Sequence, residues 1–125
     1  MPAETYDIGI TSHDTTTGDE SSLKTPVSVT LAANERIRVI ISPTAGESAQ
    51  YPHWRVYMRR QTTQARLYRV LSMEDSGGST IVTDGNIPIG TTTIYVDMAA
   101  ADIANLVLPA PSTTENNPPL TTAKY

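Results

Sequence analysis

The residues that could do chemistry are few and far apart. The chain holds two histidines, His13 and His53, and no cysteine. Thiolate metal sites, iron–sulfur centres, disulfides and a Cys nucleophile are thereby excluded. His13 lies in a polar stretch and His53 precedes Trp54. Neither belongs to a His-x-x-x-His or His-Glu pairing, the spacing that brings two zinc ligands to one face. Serines are abundant, but a nucleophile needs a base and an orienting group, and no Gly-x-Ser-x-Gly elbow is present. Residues 14–20 (DTTTGDE) offer oxygens and a glycine without the alternating carboxylates and distal Glu of a calcium loop. Gly77-Gly78 leads into Ser-Thr-Ile and not into a Lys-Ser/Thr that opens a helix, so it reads as a turn. No catalytic, metal or cofactor-binding residue is expected, and no enzymatic activity.

Charge is the stronger signal. All seven arginines fall between Arg36 and Arg69, where Glu47 is the single acid, which gives that window +6. The remainder carries two lysines and twelve acids, −10, and the whole chain −4. Arg55, Tyr57 and Arg59 alternate along one extended segment, and Arg66 follows in the next turn. These four form the candidate partner-contact face. It is expected either to meet an acidic protein neighbour or to be neutralised by acids from the chain's own loops. Nucleic acid is disfavoured by the negative net charge and by Tyr57 being the one exposed aromatic expected in the patch.

The elements that must position these residues are β-strands. Thr recurs in clusters, Phe is absent and nine prolines punctuate the chain, a strand-and-turn composition. At 125 residues and 38% hydrophobic the length suits one domain with one core. No apolar run approaches the roughly 18 residues of a spanning helix, so no membrane partner is expected. Period-two alternation predicts strands over 5–11 (Tyr6, Ile8, Ile10 inward), 27–31, 36–42 (Ile37, Val39, Ile41 inward, with Ile40 on a partly covered outer face) and 53–59 (Trp54, Val56, Met58 inward). Residues 65–73 fit a strand or, through Leu67, Val70 and Leu71, a short helix, with the strand favoured after the polar turn that precedes them. Further strands are expected over 79–83 and 92–98, with loops at 43–52 and 84–90. Residues 99–108 have helical composition, capped near Asp97 or Asp102. Seven or so short strands indicate an all-β chain, an antiparallel β-sandwich over 5–108. Residues 1–4 form an N-terminal arm, and 109–125, with four prolines, an extended linker or arm.

The order of motifs resembles a known family. The strand Tyr6 to Thr11, the loop ending GDESSLKTP at Pro26 and the strand from Val27 to Leu31 resemble fibronectin type III or immunoglobulin-like modules. WRVYMRR (Trp54 to Arg60), LYRV (Leu67 to Val70), TTTIYVD (Thr91 to Asp97), DIANL (Asp102 to Leu106) and NPP (Asn117 to Pro119) resemble segments of tailed-bacteriophage virion structural proteins. Two departures are Gly-Asp-Glu-Ser in place of Gly-Glu-Ser and a long 81–90 loop. The resemblance implies a non-enzymatic virion component of tail, neck or capsid surface, in contact with other virion proteins and assembled as a homo-oligomer or ring subunit. It also implies that the chain is a fragment of a longer one or a small decoration protein. A rival expectation is a host-surface glycan-binding module using Tyr51, His53 and Asn86, with Trp54 as a stacking platform should it be exposed.

Overall fold

The structure, a computed structural model, describes residues 1–21, 23, 25–41 and 52–111. Among the described residues it is all-β apart from one short helix. The strands are β1 (Thr5–His13), β2 (Val27–Thr30), β3 (Ile37–Ile40), β4 (His53–Arg60), β5 (Tyr68–Arg69), β6 (Met73–Glu74), β7 (Thr80–Val82), β8 (Ile87–Pro88) and β9 (Thr93–Val96), followed by α1 (Ala100–Ala104). They form two antiparallel sheets. The first runs β2-β1-β4-β5, with β8 also on β4, and the second runs β3-β9-β6-β7.

The longest pairing is β1 with β4, in register from Tyr6 opposite Arg60 to His13 opposite His53. Alternation on these strands sends Tyr6, Trp54, Val56 and Met58 inward, where they join Ile37, Val39, Met73, Val82, Ile94 and Val96 from the second sheet in one core cluster. Trp54 is 2% exposed, so it is core and not a sugar platform. The strands expected around residues 5–11, 27–31, 36–42, 53–59, 79–83 and 92–98 are all present within a residue or three of those bounds.

Three segments differ from expectation. Residues 65–73 form neither one strand nor a helix. β5 ends at Arg69, the Val70 amide still bonds Val56 at 2.9 Å, and the chain then leaves for β6 in the other sheet. Residues 84–90 contain a two-residue strand, with Ile87 opposite Trp54 and Pro88 opposite His53. Pro88 tolerates that place because such a short outer strand needs few amide donors. Ile40 is 63% exposed, with no cover among the described residues.

Both ends of the described chain are docked. Met1 is buried and Glu4 accepts from Leu31 N at 3.0 Å, so residues 1–4 lie on the domain and do not project. The helix begins at Ala99 without a side-chain cap. Asp97 instead meets the Met1 amine at 3.3 Å, while Asp102 sits in the first turn, where a carboxylate suits the helix dipole. Ile103 is fully buried. Beyond it the chain pairs along β5, with Arg69 N to Leu108 O at 2.7 Å and Ala110 N to Leu67 O at 2.9 Å. This strap extends two residues past the expected 108/109 boundary. The loop at 43–52 apart from Pro52, and the arm beyond Pro111, lie outside the described residues.

One glycine is structurally required. Gly85 is buried at φ +75°, and a Cβ there would stand 2.9 Å from both Val70 O and Arg69 Nε. Gly85→Ala is expected to cost about 2 kcal/mol or more, from the left-handed backbone and the contact with a fixed carbonyl. A urea midpoint unchanged from the parent would contradict this packing.

Candidate functional site

The outward face of β1 and β4 carries Asp7, Gly9, Thr11 and His13 directly opposite Arg59, Tyr57, Arg55 and His53. Each arginine of this face meets an acid or a polar partner. Arg59 Nε donates to Asp7 at 2.8 Å and its Nη1 to Ala65 O at 3.0 Å. Arg60 Nε donates to Glu4 at 2.6 Å, and on the second sheet Arg36 donates to Glu74 at 2.9 Å while lying 4.1 Å from the Tyr95 ring centroid. Arg38 and Arg66 are exposed and have no partner among the described residues. The four residues of the candidate face thus divide. Arg55, Tyr57 and Arg59 are held inside the fold, and Arg66 stands free in the turn between β4 and β5.

Burial pulls Asp7 toward a higher pKa, but hydrogen bonds from Ser28, Arg59 and Gln61 outweigh it and hold the carboxyl below its ordinary value. Gly9 completes the face. A Cβ there would come within 2.8 Å of Leu23 Cδ1, so its bareness lets the loop after β1 lay Leu23 flat on the sheet.

The densest polar cluster centres on Glu20. One carboxylate oxygen accepts from Arg55 Nη1 at 2.8 Å, and the other accepts from Thr11 Oγ1 at 2.6 Å and from the Tyr57 hydroxyl. Tyr57 is 2% exposed, so the expectation of an exposed aromatic is corrected: the loop bearing Glu20 covers it. Burial, and then the bonded Glu20 carboxylate, push the Tyr57 phenol up to about 12. Asn86 Oδ1 accepts from Arg55 Nε at 3.0 Å and from Arg69 Nη2 at 3.5 Å, and Arg69 Nη2 also donates to Asp84 O. Arg69 Nε is buried with no acceptor. An open cavity of about 290 Å³ is lined by Glu20, Arg55, Tyr57, Arg69 and residues 108–111.

The two histidines, distant in sequence, are cross-strand partners at the end of this cluster, and each has a buried Nδ1 without a partner. Among the described residues no third His, Cys, Asp or Glu joins them as a metal cluster. Burial, and next the Arg55 charge, depress the His13 pKa. A depressed folded value means that the unfolded chain takes up the proton first as pH falls. His13 therefore contributes stability that is full above pH ~6.5 and is lost as pH drops toward its folded pKa. The melting temperature is expected to fall over that window, and His13→Gln to flatten the fall. An unaltered pH slope in the variant would contradict it.

The 14–20 stretch is a turn. Asp14 Oδ1 accepts from Thr16 N at 2.9 Å, Gly18 takes φ +82°, and Asp14 N bonds Asp19 O at 2.9 Å, which returns the chain so that Glu20 bridges His13. A second open cavity, about 590 Å³, lies away from this cluster, between Asn34 to Arg36, Glu74, Ser76 to Gly78 and Asp97. It is wide and polar, and its acids are already engaged by Arg36, Ala32 N and the Met1 amine.

Comparison of the chain with protein-family models, with curated proteins and with solved structures finds no match. Function is therefore argued from the residues themselves. Sequence reasoning named His53 and Asn86 only as glycan contacts and Glu20 only within the 14–20 loop, and did not bring them together with His13, Arg55 and Tyr57. The signal that could have found them is the antiparallel register, which sets small Gly9 against large Tyr57 and acidic Asp7 against basic Arg59.

Proposed function

We propose that this chain is a non-enzymatic structural component of a tailed-phage particle, in the tail, neck or capsid surface. It is built as a fibronectin type III or immunoglobulin-like sandwich and acts through contacts between neighbouring copies. The two antiparallel sheets sharing one core support the sandwich, and the motif order described above supports the virion. A fold alone carries no function.

The observation that carries the reading is the state of the four sheet edges. The strap at 108–110 covers β5. Beside β5, the two-residue β8 is blunted by Pro88. The remaining edge strands, β2, β3 and β7, have no further strand beside them among the described residues, and each exposes one large apolar side chain: Val27 at 65% on β2, Ile40 at 63% on β3 and Ile81 at 53% on β7. Open edges present unpaired backbone groups that template another strand, and proteins that stay monomeric usually blunt them with charge, bulges or proline. Here five of the seven arginines are engaged within the fold, and of these three edges only β3 keeps an exposed charge, Arg38, beside Ile40. A neighbouring copy can add a strand to such an edge and bury the exposed side chain.

The glycan reading loses Trp54, which is core, and Tyr51 lies outside the described residues. Particles purified on a density gradient should contain this chain in fixed ratio to the major structural proteins, read by mass spectrometry. Its absence from intact particles would overturn the virion assignment.

A further inference from the structure

The fold places two guanidinium groups side by side and gives them one carboxylate. Arg55 and Arg69 share Asn86 Oδ1, at 3.0 and 3.5 Å, and Arg55 alone reaches Glu20. Arg69 is met only by neutral oxygens, Asp84 O and Asn86 Oδ1, and its Nε is buried without an acceptor. The Asp84 carboxylate is turned to its own loop, accepting from Asn86 N at 3.0 Å. Burial, and then the Arg55 charge, lower the Arg69 pKa, as expected of a cation held beside another cation.

Arg55, Arg69, Tyr57 and the Glu20 carboxylate line the cavity of about 290 Å³, whose remaining wall is Leu108, Pro109, Ala110 and Pro111. That size lies just below the range of roughly 300–1,000 Å³ for drug-sized sites, so it suits a small ligand. One end of the cavity thus sets two guanidinium groups against one carboxylate, Glu20, whose oxygens are already taken by Arg55, Thr11 and Tyr57, and the strap is largely apolar.

We propose that this cavity is a binding site for a carboxylate carried on a small apolar body, with the carboxylate set between Arg55 and Arg69 and the body against the strap. A planar carboxylate matches the donor fork of a guanidinium, and burial strengthens such charge-assisted bonds. The carboxylate belongs either to a free organic acid or to an acidic side chain of a peptide. The site stands independently of how the sheet edges associate.

The test is a titration of the isotope-labelled full chain followed by NMR, reading the arginine Nε–H and backbone amide signals. Benzoate is the free-acid probe, a blocked peptide with a single glutamate is the peptide probe, and benzamide is the neutral control. Benzoate or the peptide is expected to give saturable shifts confined to Arg55, Arg69 and residues 108–110, with Kd of about 1 mM or tighter, and benzamide none. Response to benzoate alone assigns a free acid, and response to the peptide a protein ligand.

Arg69→Met should weaken binding by about tenfold or more, whereas Arg66→Met, outside the cavity, should leave it unchanged. Should Arg69→Met fail to fold, Ala110→Glu decides, because a carboxylate tethered on the cavity wall should exclude the probes. No localised shift with either acid, equal shifts with benzamide, or full binding by Ala110→Glu would overturn the proposal.

Discussion

Trp54→Ala is expected to lower the unfolding free energy by about 3–5 kcal/mol, the range for emptying a large aromatic site in a packed core. The indole sits on β4 opposite Ser12 of β1 and Ile87 of β8, at 2% exposure. Its Nε1 has no acceptor, so its contribution is volume and apolar surface and not a hydrogen bond. Trp54→Phe should accordingly cost only about 1–2 kcal/mol, since the ring is partly replaced and an orphaned donor is removed. Urea unfolding followed by far-UV circular dichroism distinguishes the two. A loss below about 1 kcal/mol for the alanine variant would contradict the burial and reopen Trp54 as a surface platform.

Glu20→Ala is expected to cost about 2–4 kcal/mol, because it strips one acceptor from three donors at once. Arg55 is left with its charge 85% buried and no carboxylate, and Tyr57 and Thr11 lose their bonds. The estimate stays below that for a fully buried pair because both partners retain 15–16% exposure. A second readout is specific to the cluster. The Tyr57 phenol lies at about 12 in the folded chain against 10.0 for a free tyrosine, so the folded state holds this proton more tightly. Its contribution to stability is full below pH 10 and is lost as pH rises from 10 to 12. Ultraviolet titration should show Tyr6 raised above the free value by burial and a still later phase from Tyr57, the latter absent in Tyr57→Phe and shifted partway back toward 10 in Glu20→Ala, since burial persists there. A tyrosine titration identical in parent and Tyr57→Phe would contradict the cluster.

The strands with clean alternation were legible in the residues. Residues 36–39 and 53–59 set Ile37 and Val39, and Trp54, Val56 and Met58, against polar residues at every second position, and a period of two has one physical meaning in a half-buried sheet. The all-β class followed from the number of such segments and the turn residues between them. What could not be read is what depends on tertiary pairing. β8 is two residues long and contains Pro88, so no pattern exists to detect, and its place is set by Ile87 docking opposite Trp54. The break after Arg69 arises because the chain changes sheets, a property of topology and not of composition. His13 and His53 lie forty positions apart and become neighbours only through the β1–β4 register. The Arg-rich window looked like an interface because its acids, Glu4, Asp7 and Glu20, come from the other end of the sequence. The edges were legible only in part, since Ile40 stood out from its alternation while Val27 and Ile81 did not.

The central claim is that association runs through the open edges of β2, β3 and β7. The most direct measurement is sedimentation velocity over a concentration series, comparing the parent chain with Val27→Lys, Ile40→Lys and Ile81→Lys, and with a chain lacking residues 112–125. Lysine on an edge strand is a common way that proteins block strand addition, and these exposed sites tolerate it without loss of fold. The account predicts assemblies in the parent that at least one edge lysine reduces to monomers, while each variant keeps its melting temperature. Assemblies that persist in all three lysine variants and vanish only on removal of 112–125, or a parent that stays monomeric at every concentration, would contradict it.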